Sequence, residues 1–365
     1  MSLAEGTLVL LADGRPRPVE LIVAGTNLLG PDGKIRRVLS TATGHGPLYR
    51  INPRKGEPWT CAGHHTLTLV KSSKGGNIIS LPLRYWSKEA PWLKRDCKQF
   101  SIGVLDYPKH SNNSAPLPID PYFLGVWFGD GTKTSRELAR GRVVNKVAIT
   151  TTDPEIVELC NEQARAWNLH VHTTKDHRGC PTYAIASSSP GQFHRNDLLR
   201  TLRSLVGPEI KVPEAYIFGS HLTRLQFLAG LLDSDGGLDW TKTTFFITQK
   251  REDWARAPWR LARSLGLYAG IRSHYGRYTR TDGSVFEGVY WTVTISGNTD
   301  QIPTRICRKR AQPRKQIKNA ARTSFSATPV GRGIHYGFSL SGDARFLLGD
   351  FTVTGGHALL KKAAS

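Results

Sequence analysis

At 365 residues the chain is long enough for two or three domains, and its 39% of hydrophobic residues is ordinary for a protein that folds in water. Fifty lysines and arginines against 29 aspartates and glutamates leave a net charge of +21. A charge of that size repels itself unless a polyanion offsets it, and nucleic acid is the usual polyanion. No apolar run reaches the roughly 20 residues of a membrane span, and no signal-peptide pattern opens the chain, so an intracellular protein without membrane attachment is expected. The five cysteines, Cys61, Cys97, Cys160, Cys180 and Cys307, are scattered and form no C-x-x-C pair, which argues against a zinc site or a disulfide framework.

In chain order, residues 1–70 read as short strands broken by tight turns. Thr7–Leu11 leads into Asp13-Gly14, and Asn27–Leu29 precedes Asp32-Gly33; Asp-Gly between apolar runs favours a hairpin because glycine accepts positive φ. The polar, proline-containing stretch Ser111–Pro118 reads as a linker, after which helices and strands alternate. Between about 121 and 297 the chain repeats itself. Phe123–Gly131 (FLGVWFGDG) returns as Leu228–Gly236 (LAGLLDSDG), with Asp130 and Asp235 equivalent. Each copy runs into a β-like segment ending Ile-Thr, at Val147–Thr150 and Phe245–Thr248, and then into an amphipathic helix, the first opened by Asp153-Pro154 as cap and first helical residue. Two copies of one unit imply a pseudo-two-fold domain. The segments Tyr336–Leu340, Arg345–Leu348 and Phe351–Thr354 are β-like again and are expected to complete the first domain.

Within each repeat, Gly125 and Gly129, and their counterparts Gly230 and Ser234, lie four residues apart on one helix face. Small residues at this spacing let two backbones approach closely. Side-by-side packing then brings Asp130 and Asp235 together at the negative ends of two helix dipoles, a repulsion that a hard cation relieves. Carboxylate-held divalent metal is the apparatus of phosphodiester hydrolysis, so Asp130 and Asp235 are candidate metal ligands and catalytic residues. Gly129 and Ser234, immediately before them, are further candidate metal positions.

Phe123–Gly131 and Phe227–Gly236 resemble the two motifs of LAGLIDADG homing endonucleases. The wider chain resembles fungal vacuolar-ATPase-type inteins that carry such a nuclease, and the related mating-type-switching endonucleases of yeast. The resemblance implies an all-β Hint (splicing) domain interrupted by an α+β pseudo-two-fold endonuclease domain. The expected bounds are 1–110 and 334–358 for the Hint parts, with a possible DNA-contacting insertion at 70–110. The nuclease would take 116–318, with repeats at about 119–206 and 207–300, and 359–365 would be a tail. It further implies active-site lysines, Lys211 in Lys211-Val-Pro213 and Lys309 in the basic run 308–315, where Lys315 fits nearly as well. Gln249 is implied as a residue orienting active-site water, with Thr151 its unlike counterpart.

Mg²⁺ is the implied metal, with Mn²⁺ or Ca²⁺ able to take the same place, and the implied partner is double-stranded DNA with a long, non-palindromic target, bound by a monomer in the nucleus. Candidate DNA contacts are Arg142, Lys146, Arg272, Arg277 and Arg280 on strands, and Arg308, Arg310, Arg314 and Lys315 in the basic run. That run alternatively serves as a nuclear import signal or a solvated tether. A binding-only or maturase-like relative that has lost cleavage is the alternative function.

Ser2–Thr7 with Ala12–Gly14, Thr60–His65 and Phe346–His357 resemble intein splicing blocks, which makes Ser2, His65, His357 and Ala358 the splicing positions; His64 leaves the register open. Ser2 is a weaker nucleophile than cysteine, Ala358 has no amide to cyclise, Leu359 follows it, and Ala344 stands where the family often has histidine. Complete splicing is therefore not expected, whether by engineering or by domestication.

Overall fold

The computed structural model describes residues 1–73, 76–86, 88–103, 107, 116–133, 146–175, 180–187, 196–279, 283–315 and 318–356. Arg142, Arg280, His357 and Ala358 lie outside the described residues. The chain divides into two compact units, one made of 1–114, 263–270 and 317–365, the other of 115–262 and 271–316. No helix among the described residues is long and apolar enough to cross a membrane.

The first unit is all-β apart from short helical turns. Both Asp-Gly turns close hairpins: Leu8–Leu10 pairs with Pro16–Pro18 across Gly14 (φ +85°), and Asn27–Leu29 pairs with Ile35–Arg37 across Gly33 (φ +76°). The long strand Ile35–Pro53 pairs along most of its length with Phe325–Leu340, which also pairs with Ser2–Ala4. This C-terminal strand begins nine residues before the expected boundary at 334. Pro329, Gly331 and Gly333 obscure the apolar alternation there, and the ribbon's shared exposure removes the burial that would produce it. Arg345–Leu347 pairs with Val353–Gly355. Among the described residues of the segment 70–110, expected as a possible insertion, Ile78–Pro82 and Cys97–Phe100 flank Thr66–Lys71 in one sheet. Leu3, Val9, Leu28, Ile51, Leu69, Phe346 and their neighbours form the core.

The second unit is built on helices α1 (Pro121–Asp130), α2 (Pro154–Ala166), α3 (Asp197–Val206), α4 (His221–Ser234) and α5 (Glu252–Ser264), the last two residues of α5 counting with the first unit. α1 is capped by Asp120, whose side chain accepts from the Phe123 amide with Pro121 in the first turn; α4 is capped by Ser220 on the Thr223 amide. Asp153 stands at the N-cap of α2 as expected, but its carboxylate makes no cap bond. Each repeat places a small antiparallel sheet beside its helices, Val147–Thr150, Pro181–Ala186 and His170–Lys175 in the first, and Gly236–Leu238, Thr244–Gln249, Val285–Ser296 and Tyr268–Thr279 in the second.

The repeat is legible atom by atom. Gly131 bridges Ile149 just as Gly236 pairs with Ile247, and the threonine after each isoleucine meets a cross-strand threonine at 2.8 Å, Thr150 with Thr182 and Thr248 with Thr292. Phe245, Ile247, Val293 and Ile295 are buried, whereas Phe246, Thr248 and Thr294, on the alternate face, are exposed.

Candidate active site

α1 and the C-terminal half of α4 are buried almost all round, and their glycines are where they touch. A Cβ on Gly230 would fall 2.1 Å from the Tyr122 carbonyl oxygen, and one on Gly125 2.4 Å from that of Phe227, so the backbones are in direct contact. A Cβ on Gly129 would fall 2.0 Å from Ser234 Oγ and 3.1 Å from the Asp235 amide nitrogen. The helices therefore end side by side, with Asp130 and Asp235 at the same end.

Asp130 feels this arrangement. Withdrawal from water first, and the facing Asp235 second, raise its pKa to about 6, with Lys309 and Lys133 opposing the shift. The Gln249 side-chain amide donates to Asp235 Oδ2 at 2.7 Å, which brings the predicted polar residue to the second aspartate. In the first repeat Thr151 is buried and its Oγ1 accepts from the Asp153 amide, so the two halves differ chemically.

Two lysines close the helix ends. Lys309 is buried and donates to the carbonyls of Leu232 (3.1 Å), Asp233 (2.6 Å) and Ser234 (3.0 Å). Its pKa is lowered by burial, against the pull of Asp233 and Asp130. The other lysine is not Lys211. That residue is exposed, pairs with Glu209 at 2.5 Å, and the charges that act on it are those of Glu209, Asp253 and Arg251. Instead, Lys133 donates to the carbonyls of Trp127 (2.6 Å), Phe128 (2.7 Å) and Gly129 (3.4 Å), with its ammonium over the rings of Trp127, Phe128 and Trp254. Burial lowers its pKa to about 8, with Asp235 and Asp130 holding it up. A cation directly past a helix C-terminus was the signal in the sequence that could have singled it out.

Asp233, the remaining acid of the second motif, is buried and takes a different part. Its Oδ2 accepts from the Tyr122 hydroxyl and the Arg305 amide, both at 2.6 Å, tying α4 to α1 and to the segment that carries Lys309.

Among the candidate DNA contacts, Arg308 is held by Asp153 through bonds of 2.7 and 2.8 Å to the two carboxylate oxygens, a commitment that tethers the basic run to the start of α2. Lys146, Arg272, Arg310 and Lys315 are exposed, and Arg314 is half-buried. Arg277 is exposed and lies 3.8 Å from Glu287; its odd spacing from Arg272 directs the two to opposite faces in a regular strand.

The donor set fits a hard divalent ion: two carboxylates that repel one another, beside the carbonyl-bearing residues Gly129 and Ser234, all oxygen donors. No group of three or more His, Cys, Asp or Glu ligands occurs among the described residues, so water and a bound phosphate would have to complete any coordination sphere.

Because Asp130 titrates higher in the fold than in the unfolded chain, its contribution to stability is present at low pH and is lost as pH rises from about 4 through about 6. Buried His65, lowered to about 3, has the opposite effect, losing stability as pH falls. Asp130→Asn should therefore remove one slope only: the difference in melting temperature between the variant and the parent should widen, in the variant's favour, from pH 4 to pH 6.5 in EDTA. A flat difference would contradict the assignment.

Ser2 and His65, the described residues among the predicted splicing positions, meet in the first unit. The Ser2 amide donates to His65 Nδ1 at 3.2 Å, so Nε2 carries the ring proton and donates to Thr354 Oγ1 at 2.8 Å. Ser2 Oγ lies 2.8 Å from His64 Nε2, which gives the two histidines separate partners. Burial, first, keeps His65 neutral. Ala344 is buried at φ +59°, a left-handed position unusual for a residue with a Cβ.

Residues 2–76 match the family described as Hom_end-associated Hint. The chain is 25% identical to the homothallic switching endonuclease of Saccharomyces cerevisiae, over 95% of this chain and 78% of that protein. It is 27% identical to the replicative DNA helicase DnaB of Mycobacterium intracellulare over 59% of this chain, spanning 34% of that longer protein. A crystal structure of I-DmoI in complex with DNA and Ca aligns with 48% of this chain and 82% of its own, at 16% identity and a TM-score of 0.34. The chain is thus a multidomain protein in which an all-β Hint domain is interrupted by an α+β unit of two repeats.

Proposed function

We propose that this protein is a site-specific, metal-dependent double-strand DNA endonuclease of the LAGLIDADG kind, set in an intein-like Hint domain of the fungal vacuolar-ATPase type that no longer splices. The observation that carries the reading is the meeting of two sequence-equivalent aspartates at the adjoining ends of helices in contact through Gly125 and Gly230. A like-charged pair of carboxylates, in a chain of net charge +21, is suited to a divalent cation and a phosphate. The likeness to an endonuclease over most of the chain supports the same reading.

Asp130 and Asp235, with Gly129 and Ser234, would hold Mg²⁺, for which Mn²⁺ or Ca²⁺ could substitute. Bound there, the metal supplies Lewis-acid stabilisation of the attacking and leaving oxygens of a phosphodiester. Gln249 donates to one Asp235 oxygen, and the other would be a ligand for the cation. Lys309 and Lys133 place positive charge beside the reacting phosphate. Lys146, Arg272, Arg277, Arg310, Arg314 and Lys315, with the exposed threonine faces of the two sheets, are the DNA-binding candidates. The halves differ, so a monomer would read a long, non-palindromic duplex, and access to chromosomal DNA implies a nuclear protein.

Selection of cleaved sites from a randomised duplex pool with Mg²⁺ tests the proposal. A single asymmetric site, cut on both strands, is expected. Binding that falls by about 0.9 log units per log unit of salt for each phosphate contacted, with no nicking in Mg²⁺ or Mn²⁺, would instead establish the binding-only alternative. For the splicing part, the expected intact mass after prolonged incubation is that of the whole chain; a shortened product would show that a cleavage step of the splicing chemistry survives and would contradict this part of the reading.

A further inference from the structure

Helix C-termini leave their last carbonyls without intrahelical donors, and an ammonium has three hydrogens to give. Both central helices are closed in this way, at equivalent atoms. Lys133 takes the carbonyls of Trp127, Phe128 and Gly129, and Lys309 those of Leu232, Asp233 and Ser234. These two triplets occupy the same places in the two motifs, yet the lysines do not. Lys133 follows its helix directly, whereas Lys309 arrives from a segment more than seventy residues beyond α4. Duplication therefore does not explain the symmetry, since the second lysine reaches its post by a different route.

The charges act in the same sense. Lys133 lies in the field of Asp235 and Asp130, and Lys309 in that of Asp233 and Asp130, so two ammonium groups offset part of the negative charge at the helix ends before any metal binds. Of the acids nearby, Asp153 is held by Arg308, and Asp233 accepts from Tyr122 and the Arg305 amide. In each triplet one carbonyl, Gly129 or Ser234, belongs to the residue just before the site aspartate. The other two lie deeper, and Lys133 is bound to them more closely than to Gly129, with three aromatic rings around it.

We propose that Lys133 and Lys309 are positioning residues that act as internal counter-ions: they hold the two helix ends together in the cation-free protein and release the Gly129 and Ser234 carbonyls when a divalent ion binds. This rests on Asp130 and Asp235 being the metal site. Each lysine keeps its two deeper carbonyls on release, so the change is a pivot of one ammonium group and needs no movement of the backbone.

Titration of DNA-free protein with Tb³⁺, read by luminescence sensitised through tryptophan, separates this proposal from the reading beneath it. Lys133→Gln and Lys309→Gln, which remove a competing positive charge, should each bind Tb³⁺ about three- to tenfold more tightly than the parent. Their melting temperatures should fall in EDTA and recover with Ca²⁺ by more than the parent gains. In parallel, ¹⁵N-lysine spectra of the parent should show two ammonium signals protected from exchange whose exchange quickens on adding Ca²⁺, as one of three bonds is given up, a readout that needs no variant to fold. Unchanged or weaker Tb³⁺ binding in the glutamine variants, or ammonium exchange that saturating Ca²⁺ leaves unaltered, overturns the counter-ion proposal alone. Tb³⁺ binding that is absent in the parent, or equally strong in Asp130→Asn and Asp235→Asn, removes the metal site itself.

Discussion

Asparagine at position 130 or 235 is expected to lower the single-turnover cleavage rate by on the order of 10³-fold or more, with DNA affinity preserved within a few-fold. The substitution is nearly isosteric, so the helix contact at Gly125 and Gly230 is untouched, and the lysines that close both helix ends keep their carbonyl partners. Only charge is removed. A carboxamide holds a divalent ion poorly, while one negative charge fewer beside a phosphate backbone does not oppose DNA binding. Gln249 can turn its amide to meet an asparagine at 235, so loss of that bond is not an alternative explanation. Because the aspartates act as one unit, the double variant should be scarcely worse than either single variant. Cleavage within tenfold of the parent in any of the three would remove the nuclease assignment.

What was legible in the sequence was what repeats or has a strong local period. The two nine-residue motifs disclosed the helix pair because glycine at four-residue spacing has one physical use there, and the contact lies at the predicted residues. The Asp-Gly hairpins were legible because positive φ demands glycine. The site lysines were not equally visible. Lys309 came from resemblance and lies at the site, whereas Lys211, chosen by the same means, is an exposed partner of Glu209. Lys133 is defined by three backbone carbonyls and three rings, an environment that exists only once α1 has ended and Trp254 has packed against Phe128. No periodicity encodes that. The ribbon formed by 35–53 and 325–340 was half-legible for the opposite reason. Much of it is exposed on both faces, so the alternation that announces a strand is missing where burial is missing. Arg308 shows a further limit, since a basic run says nothing of which cations are already engaged, and Asp153 holds this one.

Alanine at Gly230 is expected to destabilise the α+β unit by about 1–3 kcal/mol or more and to reduce cleavage beyond what the lost stability explains. In an exposed helix the same change would stabilise by roughly 1 kcal/mol, because alanine loses less backbone freedom than glycine. The sign reverses here because the new methyl would fall 2.1 Å from the Tyr122 carbonyl oxygen and 2.9 Å from the Val126 amide nitrogen, both backbone atoms of the facing helix. Neither can rotate aside, so the helices must separate. Separation at this point moves Asp235 away from Asp130, loosens the 2.6 Å bond between Tyr122 and Asp233, and shifts the Arg305 amide that shares that carboxylate. Alanine at Gly125 meets the Phe227 carbonyl at 2.4 Å and should have the same effect. With both replaced, the combined loss should be less than the sum, since one separation of the helices accommodates both methyls. Urea unfolding gives the stability, and cleavage at a temperature where the variant remains folded gives the geometric part. A Gly230→Ala protein as stable as the parent and fully active would mean that the helix ends do not depend on this contact to hold the aspartates together.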